Sequence, residues 1–227
     1  MFMDAKANVS AIISRLQTHY RKCEAPVARF ERSHADTPFH TLIAAILSSR
    51  TLDGTTSAAC RKLFKTVRNA SDLKRVSAPR LEKLIYPVGF YKVKARQLKS
   101  LPERLERLFG GKIPDTVEGL MQLPGVGRKT ASLVASRAFG RDEICVDTHV
   151  HKVGNRLGLV HTGTPLETEN ALKKAVPKKY WRELNRLMVA FGQTICRPVA
   201  PKCGMCPINK YCHYYRLAGY SMLNRKS

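Results

Sequence analysis

The chain has 227 residues, 44% of them hydrophobic, and carries 40 Lys and Arg against 17 Asp and Glu. Its length supports one large or two small domains with a hydrophobic core, and its longest apolar stretch, residues 42–47, is far too short to span a membrane. The net charge of +23 exceeds what solubility requires, so it indicates a polyanionic partner, and nucleic acid is the first expectation.

The predicted secondary structure is helical along the whole chain. No segment shows the sustained alternation of apolar and polar residues that is typical of strands. Thr37 and Pro38 are typical of a helix start, and apolar residues recur after them at helical spacing. Residues 115–118 and 164–167 both fit the capping box that begins a helix. We therefore expect an all-α fold.

Residues 120–131 are predicted to form two helices joined by a tight turn at residues 123–127. The second helix is expected to begin near Arg128 and to run to residue 139, where a glycine follows. Gly125 and Gly127 let the backbone fold sharply and come close to a ligand. The backbone N–H groups at the start of the second helix then form a site for a phosphate group.

Glycine pairs of this kind also occur in two nucleotide-binding motifs, and the neighbouring residues exclude both. A P-loop needs Gly directly before Lys-Thr, and Arg128 stands there instead. A dinucleotide-binding fingerprint needs a preceding strand, whereas residues 118–122 are predicted to be helical. A plain connector between two helices remains as an alternative. In either case Val126 is expected to fill the core between the two helices.

Asp147 directly precedes a predicted helix that starts with Thr148. An Asp at this place is an ordinary N-cap, and the backbone N–H groups that bind its carboxylate keep it ionised. Taken alone, this position predicts only a structural role.

Four cysteines fall within 17 residues near the C-terminus, in the pattern C-x6-C-x2-C-x5-C. Four converging thiolates suit an iron–sulfur cluster or a zinc ion. Structural zinc sites usually combine two short C-x2-C pairs, and only one is present, so a [4Fe–4S] cluster is favoured over zinc. Disulfides are a weaker alternative, because the seven cysteines are an odd number and the N-terminus shows no secretory signal. The predicted ligands are Cys196, Cys203, Cys206 and Cys212.

Three motifs, in this order, resemble the endonuclease III family of DNA glycosylases, which are helix–hairpin–helix proteins. They are Leu-Pro-Gly-Val-Gly-Arg-Lys at 123–129, Val-Asp-Thr-His at 146–149 and the four-cysteine run. Residues 46–53 and 88–95 match as well, so the resemblance covers most of the chain, from about residue 30 to residue 212. Each motif alone is moderate evidence, but the three in order are highly specific.

The resemblance implies two all-helical lobes with a cleft between them. Residues 31–141 would form the lobe that carries the hairpin, and residues 1–30 with 142–227 would form the cluster lobe. The active site is expected where the lobes meet, with Lys129 on one side and Asp147 on the other.

The resemblance also implies the catalytic residues. Lys129 would be the nucleophile that forms a Schiff base at a sugar C1′. The positive end of its helix and the neighbours Arg128 and Arg137 disfavour a charged ammonium, and partial burial is expected to act in the same direction. Asp147 would stabilise the oxocarbenium-like sugar as the base departs, and could cap its helix at the same time. Without the family, Lys129 is one of 40 basic residues and a phosphate contact is the simpler interpretation.

Base excision requires the target nucleotide to leave the stack, and other groups must fill the space. By resemblance, Arg50 enters the duplex from one side and Phe90 wedges from the other. The family most often has Gln at the Arg50 position. Arginine has only donors, so it is expected to favour guanine acceptors on the opposite base. The other predicted DNA contacts are Leu123, Gly125, Val126, Gly127, Arg128, Arg197 and Lys202.

The expected function is therefore base excision repair by a bifunctional glycosylase, which removes oxidised pyrimidines and nicks the abasic site by β-elimination. One alternative is a monofunctional glycosylase for adenine or mismatched thymine, but such relatives generally lack the hairpin lysine. Another is a non-catalytic iron–sulfur DNA-binding protein, which needs no pair such as Lys129 and Asp147.

The expected partner is double-stranded DNA with damaged bases. The protein is expected to bind it as a monomer and to have no membrane partner. The expected location is the cytoplasm with the nucleoid in a prokaryote, and the nucleus or mitochondrion in a eukaryote.

Overall fold

The computed structural model describes residues 3–28 and 37–223, and the secondary structure in these ranges is helical without a strand. This confirms the predicted all-α class. None of the helices described is both long and apolar enough to cross a bilayer. The α-helices are α1 Val9–Lys22, α2 Pro38–Ser48, α3 Asp53–Phe64, α4 Ala70–Arg75, α5 Ala78–Ile85, α6 Tyr91–Phe109, α7 Val117–Met121, α8 Arg128–Phe139, α9 Thr148–Leu157, α10 Pro165–Ala175, α11 Trp181–Thr194 and α12 His213–Leu223. Short 3-10 turns lie at Lys178–Tyr180, Cys203–Met205 and Asn209–Tyr211.

The middle of the chain, Arg29–Glu143, forms one compact unit. Its central helix is α2, which is buried along most of its length and packs against α3, α6 and α8. Aliphatic side chains spaced at i, i+3 and i+4 on these helices form the core, as expected for helices that each bury one face. Helices α7 and α8 pack against each other, which places the hairpin turn at the edge of this core.

The two ends of the chain, Met1–Ala28 and Ile144–Ser227, form a second compact unit. Helix α11 lies at its centre and packs against α1 and α9. Its core contains Ile12, Leu16, Val150, Met188 and Phe191, and the cysteine-rich segment packs against the same cluster. Whether the two units correspond to the two predicted lobes stays a prediction, and the predicted boundary between residues 30 and 31 lies outside the described residues.

The helix starts follow the local signals in the sequence, with one correction. Thr37 caps α2 by accepting a hydrogen bond from His40 N, as predicted. Thr164 caps α10 in the same way, also as predicted. The predicted capping box at 115–118 is displaced by one residue, because Thr116 is the N-cap of α7 and accepts from Gly119 N. Asp115 instead forms an ion pair with Arg141.

Candidate functional site

The hairpin has the predicted backbone. Helix α7 ends at Met121, and α8 begins at Arg128, with Gly127 as its N-cap. Gly125 has a φ of 77°, in the left-handed region that favours glycine. Gly140 ends α8 with a φ of 64°, so both limits of the second helix agree with the sequence prediction.

The hairpin side chains divide into a buried and an exposed set. Leu123 and Val126 are only 3% and 7% exposed, so both side chains fill the core and only their backbone is available to a ligand. Gly125, Gly127 and Arg128 are exposed. A Cβ atom at Gly127 would meet nothing within 4 Å, which leaves open space beside the first turn of α8. Since the N-terminal N–H groups of a helix attract anions, this space is suited to a phosphate.

Lys129 is the second residue of α8 and its side chain is exposed. The expected partial burial is therefore wrong: Thr130 and Ala131 are the buried residues of this turn, and Lys129 lies on its exposed face. An exposed amine at the end of a helix is accessible to a bound sugar.

Asp147 is half-buried and caps α9, as its position predicts. Its Oδ1 atom accepts hydrogen bonds from the backbone N–H groups of His149 and Val150, both at 2.9 Å. Two bonds to one oxygen fix the direction of the carboxylate. Negative charge at a helix N-terminus is also stabilised by the helix dipole.

Helix α11 holds the segments on both sides of Asp147, and sequence reasoning did not identify this. The buried Asn185 donates from Nδ2 to Cys145 O at 2.9 Å, which anchors the chain before Asp147. After Asp147, the ring of His149 lies against Gly192, where a Cβ atom would be 2.6 Å from Nδ1. A small residue at 192 is therefore required for α9 to begin where it does. Both contacts join residues about 40 positions apart, so no local pattern reveals them.

Arg50 and Phe90 lie side by side on the surface of the Arg29–Glu143 unit. The Arg50 guanidinium carbon is 5.6 Å from the centre of the Phe90 ring, and Phe90 is 60% exposed. Both residues have a positive φ, 51° and 57°, which is unusual for residues other than glycine. We call these two side chains the wedge. Both groups lie on one surface patch, and how they enter a duplex stays a prediction.

The four predicted ligand cysteines line one pocket. Leu157, Phe191 and Ile195 contribute apolar walls. In the described part of the chain, no three Cys, His, Asp or Glu side chains are close enough together to hold a single metal ion. A cluster with four irons gives each cysteine an iron of its own, so its ligands lie further apart than those of one zinc ion. The metal group that these cysteines hold stays a prediction.

This pocket disfavours charged thiolates unless a cation is bound. Burial raises the pKa of Cys206 to about 12, and the neighbouring thiols of Cys212, Cys196 and Cys203 act in the same direction. Burial is also the main cause that raises the pKa of Cys203 and Cys212. Binding of a cationic group is therefore expected to release protons and to stabilise the folded segment.

Arg156 organises the loop between the first two cysteines and was not identified from the sequence. Its Nη1 atom donates to Arg197 O at 2.8 Å and lies 3.5 Å from Cys196 Sγ, and its Nη2 atom donates to Pro198 O at 3.0 Å. The guanidinium also lies over the ring of Tyr214, 4.9 Å from its centre. One side chain thus connects Cys196 to the backbone of the loop.

The loop that follows Cys196 presents its basic side chains outward. Arg197 and Lys202 are both exposed, and their contacts with a phosphate stay a prediction. Lys202 N donates to Ile195 O at 2.9 Å, which closes the loop. Ala200 has a φ of 48°, and the Arg197 side chain reaches its carbonyl at 3.4 Å.

Comparison with known proteins gives consistent matches. Residues 43–178 match the family described as HhH-GPD superfamily base excision DNA repair protein. Endonuclease III of Thermotoga maritima is 44% identical over 194 residues, which cover 85% of this chain and 91% of that protein. The solved structure of a trapped endonuclease III–DNA covalent intermediate is 32% identical with a TM-score of 0.83, covering 96% of this chain and 100% of that one. A thermostable thymine-DNA glycosylase is 27% identical with a TM-score of 0.80, covering 94% and 100%.

Proposed function

The chain belongs to the HhH-GPD superfamily of base excision DNA repair proteins, and we propose that it is a bifunctional DNA glycosylase and abasic-site lyase that removes oxidised pyrimidines. The observation that carries this proposal is Lys129, an exposed amine in the first turn of the hairpin helix α8. The similarity to endonuclease III over most of the chain supports it. A lyase needs an amine that reaches the sugar, whereas a monofunctional glycosylase does not.

The proposed reaction has two steps. The Nζ atom of Lys129 bonds to C1′ of the flipped nucleotide while the bond between C1′ and the base breaks, and the base leaves with the bonding electrons. The amine gives up its two protons, one to the departing base and one to the ring oxygen O4′, as the bond between C1′ and O4′ breaks and the sugar opens to an imine. Loss of a proton from C2′ then allows the bond to the 3′ oxygen to break, which nicks the strand on the 3′ side.

Asp147 supplies the negative charge in this proposal. Positive charge develops on the sugar as the base departs, and a fixed carboxylate stabilises it without reorganisation. The two backbone N–H groups that bind Oδ1 provide that fixed direction. The N-cap role and the catalytic role are thus compatible, because the same hydrogen bonds serve both.

We propose that Cys196, Cys203, Cys206 and Cys212 hold a [4Fe–4S] cluster. When bound, it supplies a structural anchor for the segment around the four cysteines. Arg156 then fixes the loop at residues 197–202, so that its exposed basic side chains meet a phosphate. The contacts with DNA are made by the side chains and the backbone of the protein, and not by the cluster.

The proposed substrate is double-stranded DNA with a damaged base, bound by one copy of the chain in the compartment that holds the genome. The hairpin N–H groups, Arg128, Arg197 and Lys202 would contact the phosphate backbone. The wedge would fill the space that the flipped nucleotide leaves. Arg50, which has donors only, would favour guanine opposite the lesion.

Borohydride trapping on a set of duplexes tests this function. The set carries thymine glycol, uracil, 8-oxoguanine or a preformed abasic site, and a mismatched thymine and adenine serve as further substrates. The proposal predicts base release, a covalent adduct and a nick on the thymine glycol duplex. Base release without any adduct would indicate a monofunctional glycosylase, and binding without release would indicate a non-catalytic DNA-binding protein.

The proposed cluster predicts the visible absorption of the protein. The purified protein should be yellow-brown with broad visible absorption, and Cys203→Ser should lose this colour and melt at a lower temperature, because metal binding and folding are coupled. Cys23→Ser is the matched control, since Cys23 lies outside the four-cysteine run, and it should keep both properties. A colourless protein with one zinc per chain would contradict the iron–sulfur assignment.

The basic surface predicts that the affinity for DNA depends on the salt concentration. If about six phosphates are neutralised, the affinity for undamaged duplex should fall roughly 10³-fold between 50 and 200 mM salt. Lys202→Gln should reduce the slope of log affinity against log salt by about 1. Fluorescence anisotropy with a labelled duplex measures both. A flat response over this range would mean that the +23 charge has another purpose.

A further inference from the structure

The loops that carry the wedge enclose a buried lysine. Lys94 lies in the first turn of α6 and is only 5% exposed. Its Nζ atom donates to Leu47 O at 2.8 Å, to Ser49 O at 2.5 Å and to Thr51 Oγ1 at 3.1 Å. All three N–H groups of an ammonium are thereby used on neutral acceptors. Burial lowers the pKa of Lys94 to about 8, so the ammonium form still predominates at pH 7.

The acceptors belong to the segment that ends α2 and carries Arg50. The last carbonyl groups of a helix have no partner within the helix, and a cation is favoured at this end. Lys94 supplies that cation from α6. Because Leu47 O precedes Arg50 and Thr51 follows it, the ammonium holds the chain on both sides of Arg50.

The same hydrogen bonds extend to Gly89, the residue before Phe90. Thr51 Oγ1, which accepts from Lys94, also accepts from Gly89 N at 3.1 Å. The backbone of Gly89 lies so near that a Cβ atom there would be 2.4 Å from Arg50 O. A continuous path therefore runs from the ammonium through Thr51 to the residue before Phe90.

The wedge backbone needs such support. Arg50 and Phe90 both adopt the left-handed conformation, which residues with a side chain keep only when their surroundings hold them. The hydrogen bonds of Lys94 and Thr51 tie the backbones of the two loops together, beside the contact between the Arg50 and Phe90 side chains.

We propose that Lys94 is a positioning residue for base flipping: its buried ammonium joins the two wedge loops, so that Arg50 and Phe90 enter the duplex as one unit. Lys94 itself touches neither the base nor the reacting sugar. The inference rests on the proposed function, since it assigns the wedge to an opened duplex.

The chain offers a matched control on the same helix. Lys99 also donates from α6 to two carbonyl groups near the end of another helix, Lys74 O at 2.9 Å and Val76 O at 2.8 Å. Loss of either amine removes a cation that caps carbonyl groups. Only Lys94 is connected to the wedge, so a difference between the two variants isolates positioning from helix capping.

The experiment compares Lys94→Met, Lys99→Met and Thr51→Val with the wild type. Single-turnover base release is measured on a thymine glycol duplex, and nicking is measured on a single strand with a preformed abasic site, where no stack must open. Fluorescence of 2-aminopurine beside the lesion reports unstacking. Lys94→Met should lower the ratio of duplex release to single-strand nicking roughly tenfold to a hundredfold, as misplacement of positioning groups does. It should also reduce the fluorescence change.

Lys99→Met should leave this ratio within about twofold of the wild type, since its side chain is not part of the wedge support. Thr51→Val, which removes the shared hydroxyl and keeps the shape, should lower the ratio several-fold. Equal ratios for Lys94→Met and Lys99→Met would overturn the inference. If Lys94→Met fails to fold, an unchanged ratio in Thr51→Val overturns it. A wild-type protein that releases no base from any duplex would instead contradict the proposed function itself.

Discussion

Lys129→Gln is expected to abolish the borohydride-trapped adduct. An amide nitrogen cannot form an imine with C1′, so both the covalent intermediate and the nick that depends on it should disappear. Binding to damaged duplex should persist, because it is spread over the hairpin backbone and several basic side chains. The adduct is measured by denaturing gel electrophoresis after incubation with thymine glycol or abasic duplex and borohydride.

Lys112→Gln is the charge-matched control for this variant. Lys112 is exposed in the same unit and outside the hairpin, and its replacement changes the net charge by the same amount. It should trap DNA at the wild-type rate. A Lys129→Gln protein that still traps DNA at that rate would show that another amine is the nucleophile.

Asp147→Asn is expected to separate base release from nicking. The amide oxygen of Asn can still accept hydrogen bonds from His149 N and Val150 N, so the start of α9 should be preserved. The negative charge that stabilises the developing oxocarbenium ion is lost, and base release should fall roughly 10²–10³-fold. Nicking of a preformed abasic site should fall less, because the base has already left and Lys129 remains.

Asp72→Asn is the control for the loss of one carboxylate. Asp72 Oδ2 accepts from the backbone of Arg68 at 3.0 Å, and the residue lies outside every proposed site. It should leave both rates near those of the wild type, with melting temperatures measured for each variant. Equal losses of base release and nicking in Asp147→Asn, with an unchanged fold, would assign Asp147 to binding or positioning.

The parts of the proposed site that follow local rules could be predicted from the sequence. Gly125 and Gly140 mark positions with positive φ, and Asp147 caps α9 through N–H groups two and three residues away. The four cysteines are close in sequence, so their gathering around one pocket requires only a short folded segment. Each of these signals acts within a few residues, so the local sequence is enough to predict it.

The wrong expectation that Lys129 is partly buried shows the limit of prediction from local sequence. Its place at a helix start could be predicted, but its exposure depends on which face of α8 packs against α2. The same holds for the wedge, because the side-by-side position of Arg50 and Phe90 results from two loops that are about 40 residues apart. Relative burial and long-range contact are properties of the packed chain.

The sequence by itself determined that this protein is helical, that it carries a hairpin with a lysine, a capping aspartate and four clustered cysteines, and that it belongs with the endonuclease III relatives. Only the tertiary structure decided how these parts are supported. Lys94 caps carbonyl groups 47 and 45 residues away, and Arg156 holds a loop about 40 residues away. The physical reason is that buried polar groups must find hydrogen-bond partners wherever packing brings them, and those partners are set by the fold as a whole.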